Sequence, residues 1–141
     1  MTASDPHNLQ RFVDAQSRCY DQVCEELSEG YKQSHWMWFI FPQLKGLGHS
    51  PMANHYGISS LQEAEAYLQH AVLGPRLRHC TDLVVRTEGR SVEEIFGEPD
   101  DLKFRSCMTL FAQTAGDAAI FKAVLQKFFA GQPDPLTLAR L

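Results

Sequence analysis

The chain has 141 residues, with 13 Lys and Arg against 17 Asp and Glu, a formal charge of −4 with histidines neutral. Hydrophobic residues at 44% against charged residues at 21% exclude intrinsic disorder. The mildly acidic balance excludes a general nucleic-acid binder, which needs a basic face, and no apolar run is long enough to cross a bilayer.

Asp5 and Pro6 offer an N-cap and a first helical residue. Behind them Leu9, Phe12, Val13, Ala15, Cys19, Val23 and Leu27 form one apolar stripe at helical spacing, stopped by Gly30. The run Trp36 to Phe41 carries aromatics on both parities and reads equally as a strand or as a short buried helix capped by Ser34. Pro42 to Gly57 is rich in Gly and Pro and is expected as one long irregular loop, a type often functional.

Ser60 to Glu63 fits a capping box opening a helix with Ala64, Tyr67, Leu68 and Ala71 on one side. Gly74-Pro75 breaks it, and Pro75 starts the next helix, with Leu77, Cys80, Leu83 and Val84 inward. Ser91 to Glu94 is a second capping box for a short helix closing at Gly97. A helix follows within Pro99 to Ala115, then one capped by Asp117 and ended by Gly131, then a short tail helix begun by Asp134-Pro135. The expectation is a mainly α protein: a single compact domain over 1–141, of about six to seven helices, with a long glycine-containing loop after an aromatic motif. With no leader pattern at its start, the chain is expected to be cytoplasmic.

Four groups of residues carry chemistry. Trp38 and its aromatic neighbours could stack a planar ligand while His35 and Gln43 read its polar edge, or they could simply be core. Lys45, Gly46, Gly48 and Ser50 could cradle a phosphate, although the spacing matches neither a Walker loop nor a dinucleotide fingerprint. Lys103, Ser106 and Thr109 share a helix face that could line an anion pocket with Arg76 nearby, or could be an ordinary packing face. His49, His55, His70 and His79 lack metal-ligand spacing, so no metal site is expected. Cys19, Cys24, Cys80 and Cys107 have no paired motif and read as reduced packing residues.

The segment Ser34 to Gln43, with Gly46-Leu47-Gly48 and Ser50, resembles the signature of the bacterial and fungal domain-of-unknown-function family 1810. So do Tyr56-Gly57-Ile58, Glu65 to His70, Leu73 to Leu77, Gly97 to Lys103, Ser106 to Phe111 and Asp134 to Leu138. The chain departs from that pattern at Arg105 and Cys107, where Leu and Ser are expected. The resemblance implies a helical single domain and no established activity. The calpastatin name some members carry does not fit a folded, non-repetitive chain. At fold level the layout is also similar to the NADAR group, linked to NAD and ADP-ribose metabolism, an analogy for a ligand class only.

Together these readings give an expected cleft. Trp38, Gln43, Lys45, Gly46, Gly48, Ser50, Tyr56, Arg76, Lys103 and Thr109 would bind a small planar anionic ligand, a nucleotide or an ADP-ribose or NAD relative. His35 or His70 would move protons near neutral pH. The competing reading is a non-catalytic module that docks a protein or peptide on the same surface.

Overall fold

The computed structural model describes residues 5–141, so the first four residues of the expected 1–141 domain lie outside it. Ten helices are formed among the described residues: α1 (Gln10–Ser17), α2 (Tyr20–Ser28), α3 (Met37–Ile40), α4 (Pro51–His55), α5 (Leu61–Gln69), α6 (Leu73–Val85), α7 (Val92–Phe96), α8 (Asp100–Ala112), α9 (Ala119–Phe129) and α10 (Pro135–Arg140). Among the described residues, strand-like pairing is confined to one parallel bridge, Leu44 to Ile58. Among the described residues no helix is long and apolar enough to cross a membrane.

Three helices exceed the expected number, each for a local reason. The first apolar stripe is broken at Arg18–Cys19, where the Cys19 amide closes a tight turn on the Gln16 carbonyl at 3.0 Å. One straight helix could not satisfy both neighbours, since α1 packs on α3 while α2 packs on α6. The aromatic run forms the single turn α3, whose N-cap is Trp36 rather than Ser34; the Ser34 hydroxyl instead donates to Glu26 Oε2 at 2.7 Å. Within the expected long loop, Ser50 caps α4 by accepting from the Ala53 amide at 3.1 Å.

The other caps follow the sequence in part: α1 begins only at Gln10, with Asp5 accepting from the Leu9 and Gln10 amides, and the N-cap of α9 is Ala118 rather than Asp117, whose Oδ1 accepts from the Ala119 amide. Ser91 and Glu94 complete their capping box, and Gly97 ends α7 at φ +75°. Ser60 makes only half of its box, because the Glu63 carboxylate turns to the Ser59 amide at 2.9 Å. Helix α6 begins at Leu73, two residues before Pro75, with His70 Nδ1 accepting from the Val72 and Leu73 amides at 3.1 and 3.3 Å. Asp134 accepts from the Thr137 amide and starts α10 as expected.

Helix α8 is the hub. It packs on α5, α7, α9 and α10, while α6 packs on α2, α5 and α9. Such surroundings require a helix apolar on most of its circumference, and Phe104, Cys107, Met108, Leu110 and Phe111 are all fully buried. Phe104 stacks on Phe96 at 4.6 Å and meets Phe41 edge-on at 4.9 Å. These contacts fix α3 against the start of α8, and that junction positions the site.

Candidate functional site

A narrow cleft, with only about 10 Å³ of water-accessible space, opens between α3, α4 and α8. Met37 and Phe41, both almost wholly buried, form its floor. Half-buried Trp38 and Tyr56 wall it, and Gln43 and Lys103 supply its polar groups. One turn of helix explains the split in α3: Met37, Ile40 and Phe41 face the core, leaving Trp38 on the outer side.

The segment between Gln43 and Tyr56 is pinched closed by backbone pairing. Ile58 N–H donates to the Gln43 carbonyl at 3.0 Å, and Lys45 N–H donates to the Ile58 carbonyl at 2.8 Å. The crossing is close enough to require glycine at position 57, where a Cβ would lie 2.8 Å from Lys45 Cα and 2.9 Å from the Ala53 carbonyl. Tyr56 is then held by Phe39 and Phe12, with ring centroids at 5.4 and 5.7 Å. The wall is therefore pre-formed.

Lys103 carries the charge of the cleft. Its Nζ lies 5.4 Å from the Trp38 ring centroid and 3.7 Å from Asp100 Oδ1. The Asp100 carboxylate is held more closely by Lys32, at 2.9 Å. Gln43 and Lys103 also border a wider, open hollow of about 240 Å³ with Leu47, Gly48, Ser106, Asp134 and Leu136. In that hollow Asp134 Oδ2 accepts from the Ser106 and Thr137 hydroxyls and the Thr137 amide. Arg105 donates to the Gln132 and Pro133 carbonyls, both at 3.0 Å. Among the described residues lining this groove, Lys103 is thus the cation that no backbone carbonyl engages.

Of the expected site residues, Trp38, Gln43, Tyr56 and Lys103 meet in the cleft, and Gly48 joins Gln43 and Lys103 in the hollow. The rest lie elsewhere. His35 is exposed and lines neither space, and His70 is occupied as the cap of α6. Lys45 borders a separate depression with Arg11 and His55, and Ser50 caps α4 instead of facing a phosphate. Gly46, at φ +100°, is covered by Arg140, which donates to its carbonyl at 3.2 Å. Arg76 stacks over Tyr20 at 4.8 Å on another face.

Thr109 is fully buried, donating to the Arg105 carbonyl and accepting from the Asp134 amide, both at 2.8 Å. It ties α10 to α8. Thr109→Val should cost about 1–2 kcal/mol in chemical denaturation, because the Asp134 N–H loses its acceptor. An unchanged stability would show that α10 is not anchored there. Ala53 and Gly57 also line the cleft and carry no chemical signal that sequence reading could use.

None of the four cysteines lines the cleft. Burial pushes the Cys107, Cys80 and Cys19 thiols up, which keeps them protonated and unreactive.

Comparison with known proteins places this geometry in context. The family model described as "Protein of unknown function (DUF1810)" matches residues 6–141. The fold is similar to the crystal structure of the conserved hypothetical protein Rv1873 from Mycobacterium tuberculosis, at 58% identity and a TM-score of 0.96. That match covers 97% of this chain and 98% of the other. No curated protein matches the chain.

Proposed function

The chain belongs to the DUF1810 family of proteins of unknown function, and we propose that its cleft binds a small ligand with a flat ring and an anionic group. A nucleotide or an ADP-ribose relative has that chemistry. One observation carries the reading: two half-buried aromatics, Gln43 and Lys103 line a narrow cleft, and the last two also line the wider hollow beside it, so a ring would rest at the mouth of the cleft. The ring would lie against Trp38 and Tyr56, Gln43 would meet its polar edge, and Lys103 would attract the anion. The wider hollow beyond Lys103 gives room for the rest of such a molecule. Binding is the part this geometry supports. His35 and His70, the acid–base candidates, stand outside the cleft, so the proposal assigns no reaction.

The test uses fluorescence, with Trp36→Phe leaving Trp38 as the single emitting indole. Titration with AMP or ADP-ribose should quench Trp38. Lys103→Met should weaken that binding about tenfold, roughly 1.4 kcal/mol, and leave adenosine unaffected. No quenching at millimolar nucleotide, or equal loss for adenosine, would sink the proposal.

A second reading has its own support. Leu102 and Leu136, 59% and 67% exposed, flank the hollow and could receive an apolar side chain of a partner peptide. Under that reading Leu136→Ala, which adds no charge to the hollow, weakens peptide capture, whereas under the first it leaves the quenching of Trp38 by nucleotide intact.

A further inference from the structure

Away from the cleft, the turn from α7 into α8 gathers three carboxylates. Glu93 comes from α7, Glu98 from the connection, and Asp101 from the first turn of α8. One oxygen from each lies within 4.8 Å of the other two. A single cation with oxygen ligands at about 2.4 Å can span separations of that size.

Neighbouring acids are already engaged. Glu94 Oε1 accepts from the Ser91 amide, and Asp100 is ion-paired with Lys32 at 2.9 Å. Glu93, Glu98 and Asp101 have neither a hydrogen bond nor an ion pair from their side chains among the described residues. Two of them are exposed, where water suffices. Asp101 is different. It is only 6% exposed, and its Oδ1 is enclosed with no hydrogen-bond partner. A buried carboxylate oxygen without a donor is costly, more so with two further carboxylates beside it. The first turn of α8 favours its charge, but that does not supply the enclosed oxygen with a ligand.

We infer that Glu93, Glu98 and Asp101 bind a hard divalent cation, and that calcium is the ion. Three carboxylates and no thiol or imidazole select a hard ion. Calcium tolerates an irregular site completed by water, whereas magnesium demands near-ideal octahedral geometry that one buried and two exposed acids do not impose. The ion would offset two of the cluster's three negative charges and compensate the buried Asp101 carboxylate. It would also brace the α7–α8 turn, whose backbone already closes through Gly97 N–H to the Glu93 carbonyl and Asp101 N–H to the Gly97 carbonyl.

The experiment is calorimetric titration of the chelator-treated full chain with calcium chloride, paired with thermal unfolding. Expected is one-to-one binding with a dissociation constant on the order of 10⁻⁴ M and weaker binding of magnesium. At about a hundredfold excess over that constant, Tm should rise by about 5–10 °C. Asp101→Asn should weaken binding at least tenfold. Glu93→Gln with Glu98→Gln should do the same on exposed side chains whose replacement leaves the fold intact. Glu25→Gln, exposed on α2, should change nothing. Absence of calcium heat and of a Tm shift at about 10 mM calcium would overturn the site. So would equal affinity in both variants, and tighter magnesium binding would overturn the choice of ion.

Discussion

Replacing Glu26 by Ala is expected to destabilise the protein by about 3–5 kcal/mol. Glu26 is a buried acid on α2, 5% exposed, and its two oxygens accept five hydrogen bonds. Oε1 takes the Gln33 amide at 2.7 Å, the Ser34 amide at 3.0 Å and the Trp36 indole N–H at 3.0 Å. Oε2 takes the Ser34 hydroxyl at 2.7 Å and the Gln22 amide group at 3.0 Å. Alanine would strand donors that have no other partner, among them the indole of a Trp that is 1% exposed. It would also free the segment that leads into α3, so ligand quenching at Trp38 should weaken together with stability.

The charge state gives the same prediction a pH signature. Burial alone would raise the Glu26 pKa, but the donors of Gln33, Ser34 and Trp36 outweigh it and hold the carboxyl at about 2, below its ordinary 4.5. A depressed native pKa contributes stability above the unfolded value that disappears as pH falls through the folded one. The stability gap between wild type and Glu26→Gln should therefore be full at about pH 6 and should shrink between about pH 4.5 and pH 2. Urea unfolding at both ends of that window decides it: a gap that stays constant or widens in acid would show that the carboxylate is not the stabilising species.

What could be read in the chain beforehand was local. Ser91 with Glu94, Asp134 with Pro135, and Gly97 and Gly131 act within one helical turn, so their residue types determine the geometry directly. The break at Cys19 was not legible, because apolar spacing alone does not say that two neighbours pull one stripe in two directions. Trp38, Gln43, Tyr56 and Lys103 were legible as chemistry, but their meeting depends on the Leu44–Ile58 bridge and on α8 reaching α3. Ser50 and His70 misled for a shared reason. Each has functional chemistry, yet a nearby backbone N–H claimed it first. Asp101 carried no signal of its own in the sequence, since enclosure is a property of the packed chain.

The second large effect is expected at Arg11, where replacement by Met should cost about 3–5 kcal/mol. Its guanidinium donates to the His7, Asn8, His55 and Gly57 carbonyls at 2.6 to 3.1 Å and to Glu63 Oε2 at 2.9 Å. One side chain thereby joins the approach to α1, the end of α4 and the start of α5. Glu63, 2% exposed, would keep only the Ser59 amide at its other oxygen and would be left as a buried carboxylate without its cation. Arg11→Lys should recover little, because one ammonium cannot reproduce a planar fork aimed at carbonyls on three segments. Removing both charges is a different matter. In Arg11→Met with Glu63→Met the uncompensated carboxylate is gone, so the double variant should be more stable than Arg11→Met alone. A double-mutant cycle by guanidinium unfolding reads this directly. If the two losses simply add, the ion pair is not what makes Arg11 costly to lose. The four carbonyl bonds would then carry the effect, and position 11 would hold the Gly57 side of the cleft through its backbone contacts rather than through charge.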